Sequence, residues 1–160
     1  MIFVTVGEQL PFDRLIRTVD EWSASSVKEV FAQIGRTDWK PSHIDYKEFL
    51  GPEEYRRKFQ DAEIIIAHAG MGTIISALEL NKPILLMPRR EIFREVRNEH
   101  QISTARRFMT LNYVSVAFDE AELRKKLGNL DKIIKNQREK RSIGASPSLI
   151  TTIREFIMDQ

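Results

Sequence analysis

Residues 62 to 90, AEIIIAHAGMGTIISALELNKPILLMPRR, constrain the fold of this chain more than any other stretch. Ile64, Ile65, Ile66 and Ala67 form a continuous apolar run, the pattern of a parallel strand covered on both faces. His68-Ala69-Gly70-Met71-Gly72-Thr73 then turns the chain into a helix. Two glycines at that point let the backbone approach a ligand closely, and the N–H groups of the helix start face outward. Such a turn is an anion site, suited to a diphosphate. Pro83 closes the helix, and Ile84 to Met87 form the next buried strand.

Strand and helix patterns alternate through the rest of the chain. Ile2 to Val6 reads as a strand and Pro11 to Trp22 as a helix with Leu15, Ile16 and Val19 on one face. Lys28 to Ile34 is a second strand, Ile44 to Leu50 a weaker third, and Pro52 to Gln60 a short charged helix. Past the central segment, Asn98 to Met109 is helical and Tyr113 to Ala117 is a strand. Glu120 to Leu127, Leu130 to Lys140 and Ser148 to Met158 are helical, with Arg141 to Pro147 the loosest stretch. Strands separated by helices predict a parallel sheet with helices on both faces. The fold expected is α/β, a single Rossmann-like domain over residues 1–160, with C-terminal helices from about residue 119 onward. Ligands in such sheets bind outside the carboxyl ends of the strands. Gly7, His68 to Thr73, and Pro88 to Gln101 fall at ends of that kind.

Composition narrows the function classes. The chain has no cysteine, which excludes disulfides and cysteine metal sites. Its formal charge is only +2, so no overall nucleic-acid signature is present and no nucleic-acid partner is expected. No segment approaches the roughly 20 apolar residues that span a bilayer. Ile2 to Val6 is too short for a signal core, so a cytoplasmic chain is expected. The C-terminal third is basic between Arg124 and Arg141, which suits either a solvated helix face or a surface against anionic lipid. No apolar face accompanies these charges in the sequence pattern, so they are expected to assist membrane docking without anchoring the chain.

Several residues could carry chemistry. Gly70, Gly72 and Thr73 read either as a diphosphate cradle or as a tight strand-to-helix turn with Thr73 as N-cap. The pattern is not the dinucleotide GxGxxG, and no acidic residue follows the second strand at a ribose position, which argues against NAD. His68 ends a buried strand, as a donor to phosphate or sugar or as a hydrogen-bonded structural residue. Asn98-Glu99-His100-Gln101 packs four hydrogen-bonding side chains before an apolar helical face. Asn98 and Gln101 suit a capping box, which leaves Glu99 and His100 unexplained. Gly7, Glu8 and Gln9 form either a plain turn or a loop over the same crevice. Arg89, Arg90, Arg94 and Arg97 make a basic stretch after Met87-Pro88 that could meet phosphate or an anionic partner, or simply be exposed.

HAGMGTIISALELNKPILLMPRR followed by NEHQ closely resembles the C-terminal sugar-nucleotide domain of glycosyltransferase family 28, and TVG followed by PFDRLI matches that family's opening. The resemblance covers roughly residues 1 to 117. Within the family it leans toward small single-domain subunits: those of bacterial capsule and exopolysaccharide two-subunit transferases, and the soluble catalytic subunit of the dolichol-pathway N-acetylglucosaminyltransferase. The resemblance implies the C-terminal half of a GT-B enzyme, binding a UDP-sugar as substrate, with no cofactor and no metal. It places Gly70, Met71, Gly72 and Thr73 at the diphosphate and Asn98, Glu99, His100 and Gln101 at the sugar and distal phosphate, with His68 beside them. It places Gly7 in the loop facing the acceptor. Many relatives carry a ribose-binding glutamate where this chain has Ser76, with Glu79 one turn further on.

One Rossmann domain supplies only one wall of a GT-B active site. The resemblance therefore implies a membrane-associated partner subunit that binds the acceptor, contributes the catalytic base and holds this chain at the inner face of the membrane. The expected reaction moves a hexose from UDP-sugar to a lipid-linked, polyprenyl-diphosphate saccharide acceptor. The alternative is a non-catalytic UDP-sugar-binding or stabilising subunit of such a complex.

Overall fold

The computed structural model describes residues 1–144 together with Thr151 and Glu155; the helix expected at Ser148 to Met158 lies outside the described residues. Six strands form one parallel sheet: β1 (Ile2–Thr5), β2 (Val30–Gln33), β3 (Asp45–Lys47), β4 (Ile64–His68), β5 (Ile84–Met87) and β6 (Ser115–Val116). Their order is β3-β2-β1-β4-β5-β6. The chain builds outward from β1 to β3, then returns beside β1 and builds the other way. The topological switch point, where a crevice opens in such sheets, is thus between β1 and β4.

Among the described residues six α-helices of a turn or more cover the two faces: α1 (Asp13–Ser23), α2 (Pro52–Asp61), α3 (Met71–Glu79), α4 (His100–Thr110), α5 (Glu120–Leu127) and α6 (Leu130–Gly144). Strand side chains alternate between the faces, which is why both must be apolar. Ile2, Val4, Ile64, Ile66, Leu85 and Met87 pack with Leu15, Ile16 and Val19 of α1 and with Leu123, Leu127, Leu130 and Ile134 of α5 and α6. Phe3, Ile65, Ala67, Ile84 and Leu86 pack instead with Phe59 of α2, Ile74 and Ala77 of α3, and Ala105 and Phe108 of α4. No helix of the described residues is long and apolar enough to cross a membrane.

Several element boundaries differ from the sequence expectation. α4 begins at His100, because the Asn98 side chain accepts a hydrogen bond from the His100 N–H (3.2 Å) and holds the chain in a turn before the helix. β3 and β6, the edge strands, shorten to the residues with a paired neighbour. α6 runs on through Arg141 to Gly144, where a loose stretch was expected. Arg141 is 4% exposed and donates to the carbonyls of Lys82 (2.6 Å) and Tyr113 (3.0 Å), tying the helix to loops at the sheet's end. It does not belong to a solvated basic face.

Candidate functional site

The switch point is furnished by three strand exits. β1 leads through Val6 into Gly7, β4 into His68-Ala69-Gly70, and β5 into Pro88-Arg89. Gly7 has φ +73°, the left-handed region that glycine adopts without strain. A β-carbon there would lie 2.9 Å from His68 Cε1, and one on Gly70 would overlap His68 Nε2. Both glycines are therefore needed to seat the His68 ring. Gly72 differs, since a β-carbon on it would meet nothing within 4 Å. No internal contact explains its small size.

α3 starts at Met71 with Gly70 in the N-cap position and no side chain capping it. Thr73 is not the N-cap. It lies inside the first turn of α3, half-buried. The first N–H groups of α3 thus stand uncapped at the switch point, carrying the positive end of the helix dipole.

Two clefts open near this helix start, though Gly70, Met71, Gly72 and Thr73 themselves line neither. The first, about 660 Å³, is lined by His68, Arg89, Glu95, Arg97, His100 and Gln101, with Val6, Glu8, Gln9, Leu10, Val96 and Asn98 completing it. The second, about 440 Å³, is lined by Gly7, Gln33, Leu50, Tyr55, Phe59 and Ser76, with Glu8, Pro52, Arg56 and Leu80. The structure therefore brings His68, Asn98, His100 and Gln101 together and sets Gly7 and Ser76 in the other cleft. Glu79, the alternative to Ser76, is exposed and lines neither.

Glu99 does not line the first cleft. It occupies the N-cap position of α4. Its carboxylate accepts from the Glu91 N–H (2.9 Å) and sits 3.7 Å from Arg90 Nε, so it braces the short 3-10 turn Glu91–Phe93. Gln101 does not close a capping box either: its Oε1 accepts from the Arg89 N–H (3.0 Å).

Arg89, read in the sequence as part of an exposed basic run, is instead 3% exposed. Its guanidinium donates to the carbonyls of Val6 (2.5 Å), Glu95 (3.0 Å) and Pro11 (3.3 Å). One side chain thereby joins the exit of β1, the approach to α1 and the loop after β5. Burial pushes its pKa down to about 10, leaving it a cation at neutral pH. Burial, and then the charge of Arg89, pushes His68 down to about 4. His68 is therefore neutral at pH 7, and its buried Nδ1 has no hydrogen-bond partner.

A second network, which sequence reasoning missed, holds the wall of the first cleft. Arg14 of α1 grips Glu95 through two 2.9 Å hydrogen bonds, and also reaches Glu120 and the Pro88 carbonyl, each at 3.3 Å. Glu95 accepts in addition from the Arg90 N–H (2.9 Å). Phe93 lies against Arg14, 4.8 Å from guanidinium carbon to ring centroid. The only trace in the sequence is an arginine and a glutamate some eighty residues apart, a pairing no local pattern reveals.

Residues 1–152 match the family described as the glycosyltransferase family 28 C-terminal domain. The chain belongs to this family. The UDP-N-acetylglucosamine transferase subunit ALG13 of Candida albicans is 30% identical over 93 residues, which cover 58% of this chain. The chain spans 30% of that relative's length. The NMR solution structure of ALG13 superposes with a TM-score of 0.55 at 20% identity, covering 79% of this chain and 82% of that one. The calicheamicin glycosyltransferase CalG4 superposes at 0.63 and 16% identity, covering 86% of this chain and 37% of that enzyme. These likenesses establish the fold: a family 28 domain equivalent to one half of a GT-B glycosyltransferase. Within that domain, the switch-point helix start and the two clefts beside it form the candidate site.

Proposed function

We propose that this family 28 domain is the UDP-sugar-binding catalytic subunit of a two-subunit glycosyltransferase. It would move a hexose from UDP-sugar to a polyprenyl-diphosphate-linked acceptor in polysaccharide biosynthesis. The observation that carries the reading is the uncapped start of α3 at the switch point, with Gly72 open to solvent beside it. A diphosphate placed there meets free N–H groups and the positive end of a helix dipole. The sugar then extends into the first cleft, where His68, Asn98, His100 and Gln101 offer hydrogen bonds over a buried Arg89 cation. The nucleoside extends into the second, where Leu50, Tyr55 and Phe59 give apolar cover and Ser76 lies within the ribose's neighbourhood.

Charge develops on the UDP oxygen as the glycosidic bond to the sugar breaks. The α3 N–H groups and Arg89 meet that charge in place, which is the electrostatic stabilisation a departing diphosphate needs. No metal or cofactor is part of the reading. The first cleft has one wall in this chain, so the acceptor and the base that deprotonates it belong to a membrane-associated partner, which also brings the chain to the inner membrane face.

Titration calorimetry with UDP tests the donor site. Gly72→Val is expected to weaken binding more than tenfold with the fold intact, because the new side chain enters ligand space from a position where a β-carbon meets no atom within 4 Å. Undiminished binding would place the diphosphate elsewhere. The purified chain alone is expected to transfer no sugar, and the pair with its partner to do so. A pair that stays active when the first-cleft groups His100 and Gln101 are replaced by alanine would make this the non-catalytic subunit.

A further inference from the structure

We propose that the groove between α4, β6, α5 and α6 is a peripheral docking surface for an anionic lipid bilayer, an inference independent of the donor site. The groove encloses about 670 Å³. Its floor is Met109, Val116, Phe118 and Ile133, and its rim carries Lys125, Lys126 and Lys132. Met109 is 41% exposed, a large apolar side chain open to solvent at the groove. Arg106 adds a fourth cation, its guanidinium carbon 5.8 Å from the Phe118 ring centroid. The basic C-terminal third thus has the apolar floor that the sequence pattern did not show.

The acids of these helices do not pair with the rim lysines. Glu122, the one carboxylate lining the groove, accepts from the Phe118 N–H (2.9 Å). Glu120 reaches Arg14, and Asp131 reaches Lys28. Among the described residues, Lys125, Lys126 and Lys132 take part in no ion pair. The result is a local cationic surface on a chain whose formal charge is only +2.

Charge alone would fit an acidic protein equally well, but the residue types favour lipid. Protein interfaces are depleted of lysine and enriched in arginine and aromatic residues. Lysine stems lie along apolar surface while their ammonium groups reach outward, which suits a boundary of acyl chains and phosphates. Cations near an anionic leaflet, backed by apolar contact, give reversible surface binding. β6 also neighbours β5, whose exit floors the first cleft, so a bilayer held here stays close to that cleft.

Flotation of the full chain with phosphatidylcholine vesicles, with and without phosphatidylglycerol, tests the proposal. The chain should float with the anionic vesicles at low salt and remain behind with the neutral ones. The triple variant K125E/K126E/K132E should lose more than about tenfold of that partitioning, with an unchanged circular dichroism spectrum. Met109→Ser should retain low-salt binding and lose the fraction that survives high salt. Failure of the wild-type chain to bind anionic vesicles would overturn the proposal and leave an acidic protein as the groove's partner. Equal flotation of the charge-reversed variant would overturn it too. So would full displacement by inorganic phosphate at unchanged ionic strength, which would mark a phosphate site and not a bilayer surface.

Discussion

The first cleft is walled by the loop between β5 and α4, held in place by side chains from distant parts of the chain. The second lies between regular elements, with Tyr55 and Phe59 on α2, Ser76 and Leu80 on α3, and Gln33 at the end of β2. The Gln33 amide oxygen accepts from the Leu50 N–H (3.2 Å), and the Tyr55 ring packs on Phe3 and Phe59. Secondary structure therefore positions the second cleft almost unaided. The first depends on Arg14, Glu95 and Arg89, buried charges whose burial must be compensated group by group. A cleft of the first kind is sensitive to single substitutions and easily varied between relatives; a cleft of the second kind is robust. A shared nucleotide and a changeable sugar would call for that division.

The largest expected effect probes the ion pair. Arg14→Met leaves the Glu95 carboxylate, 9% exposed, with only a backbone N–H as its hydrogen-bond partner. Breaking a buried pair in this way costs about 3–5 kcal/mol, read by urea unfolding. A loss below about 1 kcal/mol would mean that the loop needs no such clamp.

Next comes acid sensitivity at the floor of the same cleft. His68 is about 4 in the fold against an ordinary 6.5, so below pH 6.5 the unfolded chain binds a proton that the folded chain refuses. Its contribution is intact above pH 6.5 and is lost as pH falls toward 4, to a total of about 3 kcal/mol. Stability measured across that window should fall steeply in the wild type and less steeply in His68→Asn. Parallel curves would show that His68 protonates freely in the folded protein.

The glycines separate packing from ligand binding. Gly70→Ala drives a methyl into the His68 ring and should cost about 1–3 kcal/mol of stability. Gly72→Ala should leave stability unchanged or raise it by up to about 1 kcal/mol, as alanine favours a helix. Equal losses at both positions would remove the distinction. The smallest effect belongs to the second cleft. Tyr55→Phe deletes a hydroxyl close to Thr5 and Thr73 while keeping the ring, and should cost about 1 kcal/mol or less, with the pH profile of His68 unmoved. A shifted profile would couple the clefts and blur the contrast.

Much of the fold was legible because its signals are local. The run Ile64 to Ala67, the glycine turn and the periodic helix from Met71 specify strand, turn and helix within a few residues of one another. Asp119 at the N-cap of α5, accepting from the Glu122 N–H at 2.8 Å, is likewise local. The candidate site was legible where it follows a strand exit: His68, Gly70, Gly72 and the segment from Asn98 to Gln101. Glu99 and Gln101 were placed in the right segment, yet their partners, Glu91, Arg90 and the Arg89 backbone, depend on how the loop folds back.

Sequence by itself determined an alternating α/β chain, a parallel sheet covered on both faces, and a glycine-flanked helix start after β4. Apolar periodicity and glycine placement are properties of neighbouring residues, and they survive without knowledge of any distant contact. Tertiary structure alone decided that Gly7 and Ser76 share one cleft while His68 and Gln101 share another. It also decided that Arg89 and Arg141 are buried struts, and that the lysines of α5 and α6 border an apolar groove. Each of these depends on which surfaces the sheet order brings together, and on whether a charge leaving water finds carbonyls or a carboxylate waiting for it.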